Sequence, residues 1–249
     1  MEKSIQSDHA KIQPGDRDIN GMMKAKPKVA RKRGRPRKED VENREATSQL
    51  ILHAALDQFS KHGFDATSTV NIAQKAGIAQ SVLHYHFKTK ELLWQETIHD
   101  LFGRINKEFP FRIDTSEDAD FEAVLRFVIE RHMKVASIYP EMARIIIIEG
   151  SLDTDRLRWL TEEYFRGTFK NFDKVLDGAR KRGVIVDMPN HLLTHIIYSA
   201  GSVLFSIAPL INQTYGIDVT NPLQRDLTVK CVLEILMNGI YRGNQAPGA

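Results

Sequence analysis

From Glu45 onward, Leu50, Ile51, Ala54, Ala55 and Phe59 recur at three- and four-residue intervals. That spacing lays one apolar stripe along an α-helix. Gly63 stands where a residue of positive φ would end it. Thr67, Ser68 and Thr69 follow, side chains suited to capping a helix start. A short run from Thr69 to Ala76 places Ile72, Ala73 and Ala76 on one face. Gly77 interrupts it, and a second short helix is predicted from Gln80 to Phe87. Helices this short are marginal alone, so they must pack on each other and on the long helix before them. A helix, a glycine turn and a second helix make the arrangement that reads DNA.

Helical patterns fill the remainder, near residues 89–108, 117–138, 140–150, 154–182, 188–212 and 221–241. Pro189 and the pair Asn221-Pro222 mark starts, because proline loses nothing at a first helical position, and Gly183 marks a stop. The β-branched run Ile145 to Ile148 would read as a strand in isolation. It has no second strand-like run to pair with, so it is read as helix. The predicted class is all-α: an N-terminal three-helix helix-turn-helix domain over residues 45–92, then a helical bundle over 93–249. Residues 1–44 precede them as an arm without helical periodicity. Such a segment cannot offset its ordering entropy by burial and is expected to be disordered.

Charge sharpens this division. The chain of 249 residues has a net charge of +3. Residues 1–38 hold 12 Lys/Arg against 4 Asp/Glu, a local +8 that leaves −5 for the rest. Residues 45–92 hold 4 cations and 4 anions, so the arm is expected to supply much of any attraction to phosphates. Within it, Lys32-Arg33-Gly34-Arg35-Pro36-Arg37-Lys38 looks like an AT-hook. Gly34 lets the backbone approach a groove floor, Pro36 favours extended chain, and Arg33, Arg35 and Arg37 suit a narrow A·T minor groove. The alternative is a polybasic tail with non-specific attraction only. One cysteine, Cys231, rules out an internal disulfide. No signal-peptide core and no membrane-spanning run is evident, and a cytoplasmic, nucleoid-associated protein is expected.

The stretch ILHAALDQFSKHGFDATSTVNIAQKAGIAQSVLHYHFKTKELLW resembles the DNA-binding domain of the TetR family of repressors. Its landmarks are the alanine pair before an aromatic, Gly63-Phe64, Ala66-Thr67-Ser68, Ile72-Ala73, Ala76-Gly77 and the His84-to-Leu92 ending. Independently, Ile78, Leu83 and Phe87 would anchor the second short helix. Gln80, Ser81, Val82 and Tyr85 would then face a major groove, glutamine pairing with adenine and valine touching a thymine methyl. The absence of Lys or Arg before Lys88 points to A·T-rich positions beneath it. Thr67, Ser68, Lys88 and Lys90 are placed to hold phosphates. The resemblance implies that role for Lys90. It also leaves His84 unexplained, because the family's usual residue there is tyrosine. His84 and His86 point about 200° apart on a helix and cannot grip one metal ion.

The resemblance further implies that the last two helices pair with those of a second copy in a four-helix bundle. Leu192, Leu193, Ile196, Ile197, Ala200, Leu204 and Ile207 on one, and Leu223, Leu227, Val232, Leu233, Ile235 and Leu236 on the other, make faces too wide for a single partner. Small residues from Ser199 to Ser202 would admit a close helix neighbour. A homodimer would read a palindromic double-stranded operator. Phe102, His132, Trp159, Phe169, His195 and Tyr198 are the leading candidates for a pocket taking a small-molecule effector, with Ile145, Phe165, Phe172 and Phe205 beside them. No nucleophile elbow, phosphate-binding glycine loop or metal-ligand set is present, so neither enzymatic activity nor a cofactor is expected. The competing reading within DNA-binding proteins is a nucleoid-type binder dominated by its arm, without a ligand.

Overall fold

The computed structural model describes residues 38–240 except positions 115 and 117, with side chains from residue 42. The described residues from Glu42 onward belong to one compact unit. The basic motif at residues 32–38, with Arg33, Gly34, Arg35 and Arg37, lies outside the residues whose side chains are described.

The first helix, α1 (Lys38–Ala66), starts earlier than its apolar stripe. Residues 42–46 are all exposed, so they carry no periodicity that could have revealed them. Gly63 adopts φ 74°, ψ 174°, a region only glycine enters easily, and one turn of helix resumes after it. A Cβ at that position would lie 3.3 Å from Ile148 Cγ2. Two short helices follow, α2 (Thr69–Lys75) and α3 (Gln80–His86), joined through Gly77 at φ 68°. Asp57 ties α1 to α2 through Lys61 at 2.6 Å and Lys75 at 2.9 Å.

Next comes α4 (Lys90–Glu108), begun by Thr89, whose hydroxyl accepts the Leu92 N–H. The expected division at residue 92 therefore falls inside this helix. Its residues Trp94, Ile98, Leu101 and Ile105 join Phe59, Ile72 and Leu83 in one core, with Met142, Ile145 and Leu160 from farther along the chain. The rest is helical: α5 (Phe121–Ile138), α6 (Pro140–Gly150), α7 (Asp155–Leu160), α8 (Arg166–Lys181), α9 (Asn190–Ser206), α10 (Ala208–Tyr215) and α11 (Pro222–Ile240). The isoleucine run is helical, within α6. A second core joins α5, α8, α9 and α11 around Leu125, Ile129, Met133, Leu176 and Phe205.

Two of the long predicted helices are interrupted. Between α7 and α8 the chain makes a π-helical turn over Thr161–Phe165. One inserted residue there rotates everything beyond it about the helix axis, which apolar periodicity did not reveal. Between α9 and α10 the axis bends by 62°. Pro209 lies in the first turn of α10 and has no N–H with which to continue the ladder. Gly201 serves a contact within the chain. A Cβ there would lie 2.7 Å from Met133 Sδ and 3.0 Å from His132 Cδ2, so α5 and α9 can approach only at glycine. Among the described residues no single helix is long and apolar enough to cross a membrane.

Candidate DNA-reading face and effector cavity

Helix α3 is fixed from one side and open on the other. Leu83 is 1% exposed and Phe87 8%, and Ile78 packs on the same core. Their burial sets the rotation of the helix and turns Gln80, Ser81, Val82, His84 and Tyr85 to solvent. Tyr85 is 61% exposed. The Gln80 amide nitrogen reaches Thr69 Oγ1 at 3.4 Å and His84 Nε2 at 3.3 Å. His84 thus meets the side chain one turn before it. His86 is half-buried beside Phe87, and burial together with nearby Arg44 holds it below the ordinary imidazole value. Among the described residues no cluster of His, Cys, Asp and Glu could hold a metal.

The four residues expected at phosphates separate. Ser68 caps α2, its hydroxyl accepting the Asn71 N–H at 3.1 Å. Lys88 is exposed. Thr67 is a correction: it is 2% exposed, and its hydroxyl donates to the carbonyls of Gly63 at 2.7 Å and Gln58 at 3.2 Å. It secures the kink of α1 and has no surface to offer a phosphate. Lys90 is half-turned inward. Its ammonium donates to the Thr67 carbonyl at 2.9 Å and lies 4.2 Å from the Phe64 ring centre, so it neutralises the carbonyl end of α1. Arg44, not foreseen, has its guanidinium 5.3 Å from the Tyr85 ring and brings a cation beside α3.

Phe64 is also held from its other neighbours. The Arg156 guanidinium lies 4.0 Å from the ring centre, and its Nε donates to both carboxylate oxygens of Glu149 at 3.2 Å. Glu149 is 2% exposed, a buried anion at the end of α6 whose partner arrives from α7. A charged residue closing an isoleucine run was the signal for it.

A cavity of about 640 Å³ opens between α6, α7, the π turn, α8 and α9. Of the six leading pocket candidates, Phe169, His195 and Tyr198 line it. The other three are placed elsewhere, which corrects their assignment. Phe102 stacks on Tyr164 with ring centres 4.0 Å apart, and Trp159 packs against Trp94 and His99. His132 is 6% exposed behind the wall. Burial, with Arg131 nearby, takes it down to about 4, so it is neutral. Its Nε2 lies 3.1 Å from both the Tyr198 carbonyl and Ser202 Oγ. Phe165, Ser199, Ser202 and Arg166 also line the cavity; Ser199 and Ser202 read in the sequence as helix-contact residues instead.

A half-buried helix presenting polar and methyl-bearing side chains beyond a glycine turn defines a helix-turn-helix DNA-binding protein. Residues 51–97 match the family of bacterial regulatory proteins of the TetR type. The chain is 25% identical over 197 residues to the HTH-type transcriptional regulator RutR of Escherichia coli, covering 78% of this chain and 91% of that one. It is 24% identical over 196 residues to the fatty acid metabolism regulator protein of Bacillus subtilis, covering 77% and 94%. A crystal structure of a HlyIIR mutant protein superposes with a TM-score of 0.59 at 20% identity, covering 80% of this chain and all of that one. Residues 51–97 carry a DNA-binding domain of the TetR type, and the chain is a DNA-binding transcriptional regulator of that kind. Regulators of this family bind operator DNA and small-molecule effectors.

Proposed function

We propose that the chain is a homodimeric, cytoplasmic repressor of a bacterial operon, released from a palindromic, A·T-rich operator by a small-molecule effector. Residues 45–92 read the DNA, and residues 93–249 pair the subunits and take the effector. The observation that carries the reading is α3: a short helix anchored through Leu83 with Gln80, Ser81, Val82, His84 and Tyr85 all outward. Glutamine, valine and tyrosine suit adenine edges and thymine methyls. Ser68 and Lys88 would hold phosphates, and the arm through Arg33, Gly34, Arg35 and Arg37 would enter the flanking minor groove. Repression accords with relatives such as the HTH-type transcriptional repressor KstR2 of Mycolicibacterium smegmatis, 31% identical over 101 residues.

Pairing rests on two unpartnered rows. Leu192 and Ile196 lie along α9, and Leu223, Leu227 and Ile235 along α11, all exposed. Rows of this size on a lone chain call for a partner. A second copy fits best because a two-fold axis would set two α3 helices in successive major grooves. Effector release follows if the occupied cavity favours a subunit placement that spoils this spacing.

Selection of bound fragments from random DNA tests the proposal. Two half-sites related by a dyad are expected, together with sedimentation at twice the 28.4 kDa chain mass. Diffuse recovery of A·T-rich DNA without a dyad would replace this reading with that of a nucleoid-type binder.

A further inference from the structure

We infer that the cavity takes an uncharged, elongated, mostly apolar molecule with a hydrogen-bond acceptor at its inner end and a hydroxyl about 10 Å away at the rim. The inference rests on the effector reading above and specifies the chemistry of that site.

The polar groups of the cavity lie mainly on one wall, that of α9. His195 and Ser202 are seven residues apart on the same side of the helix, which at 1.5 Å per residue is about 10 Å. Ser202 is 8% exposed and His195 is exposed, so they mark the inner and outer ends. Their hydrogen-bonding roles follow from their neighbours. His132 Nε2 is 3.1 Å from the Tyr198 carbonyl, which can only accept, so Nε2 carries the proton. The same proton is shared with Ser202 Oγ at 3.1 Å, making this serine an acceptor there. The Ser202 hydroxyl hydrogen is then left to donate to a guest in the cavity. At the rim, His195 Nδ1 lies 2.6 Å from the His191 carbonyl and donates to it, which leaves Nε2 as an acceptor. A guest must therefore offer an acceptor inside and a donor outside.

The remaining lining is mostly apolar, with Ile146, Leu157, Leu160 and Phe165 interrupted by the hydroxyls of Ser151 and Thr161. Charge on the guest finds no counterpart. Arg166 is the one cation among the lining residues, and its Nε and Nη2 both bond to Glu162. A carboxylate entering beside that pair would have to compete with Glu162 for the guanidinium.

Nile red, itself uncharged and fluorescent in apolar surroundings, serves as the reporter on the full-length protein. It is titrated at pH 7.5 with 1,8-octanediol, 1-decanol and decanoate. The two alcohols are expected to displace it, with decanoate needing at least ten times the concentration. Ser202→Ala and His195→Leu, each with an unchanged melting temperature, should each raise the diol concentration required about fivefold, the loss of one net hydrogen bond. Displacement by decanoate at or below the alcohol concentrations, abolished by Arg166→Gln, would overturn the inference in favour of an anionic guest. Indifference of the diol to both α9 variants, or no displacement by any probe, would also overturn it. DNA binding is scored separately. A protein that binds its operator yet takes neither alcohol refutes this inference alone, and one that takes the diol but no DNA refutes the regulatory reading alone.

Discussion

Replacing Arg156 by Met should destabilise the fold more than most surface-proximal substitutions. Arg156 is 18% exposed at its side chain, and its Nε holds both oxygens of Glu149, which is 2% exposed. Its guanidinium also stacks on Phe64. Methionine keeps much of the aliphatic packing but strands the carboxylate, with only the Thr154 hydroxyl still donating to it at 3.3 Å. Breaking a buried pair from one side costs roughly 3–5 kcal/mol, and the stacking adds about 1 kcal/mol. Residual solvent access at Arg156 lowers the sum, so a loss of about 3 kcal/mol is expected. The double variant Glu149→Leu/Arg156→Met strands no charge and should lose less than Arg156→Met alone. Urea unfolding followed by circular dichroism, at one fixed protein concentration so that association does not enter, measures both. A single-variant loss below about 0.5 kcal/mol, or a double variant that loses as much as Arg156→Met alone, would refute the reasoning.

Gly178→Ala should lose roughly 1–3 kcal/mol in the same assay, because its Cβ would fall 2.4 Å from Phe121 Cζ in a packed core. Asp57 gives a pH signature. Burial alone would raise its pKa, but hydrogen bonds and charges from Lys61 and Lys75 outweigh that and hold it at about 2. The folded value lies below the unfolded one, so the contribution is complete above about pH 4 and fades as the pH falls toward 2. Asp57→Asn should remove on the order of 1–2 kcal/mol at neutral pH and flatten the stability profile between pH 4 and 2. Deleting residues 1–38 should weaken operator binding and reduce its salt dependence by several log units per log unit of salt, while the preferred sequence is kept. An unchanged salt slope would show that the arm does not touch DNA.

The exposed face of α3 was legible because its signals are local. Leu83, Phe87 and Gly77 fix the rotation and the turn within ten residues, and the outward set follows from helical spacing alone. The first turns of α1 were not legible, since a fully exposed helix has no stripe to display. Thr67 misled for a related reason: a threonine before a helix suits a cap as well as a buried tie, and only the kink at Gly63 decides between them. The cavity depends on packing between distant segments. Phe169, His195 and Tyr198 share a space that Phe102, His132 and Trp159 do not, although all six are aromatic or imidazole side chains on helices. The π turn at Thr161–Phe165 rotates α8 relative to α7, so wheel arithmetic carried through it assigns the wrong faces. Glu149 and Arg156 stand seven residues apart across a helix end, beyond the reach of pairing rules within one helix.

Operator affinity of the triple variant Gln80→Ala/Val82→Ala/Tyr85→Ala, measured by fluorescence anisotropy on the selected DNA, tests the central claim most directly. All three side chains are exposed on α3, so the fold should be untouched. A drop of at least a hundredfold is predicted, each lost base contact contributing on the order of 1–3 kcal/mol. Affinity within threefold of the parent protein, with the melting temperature unchanged, would contradict it.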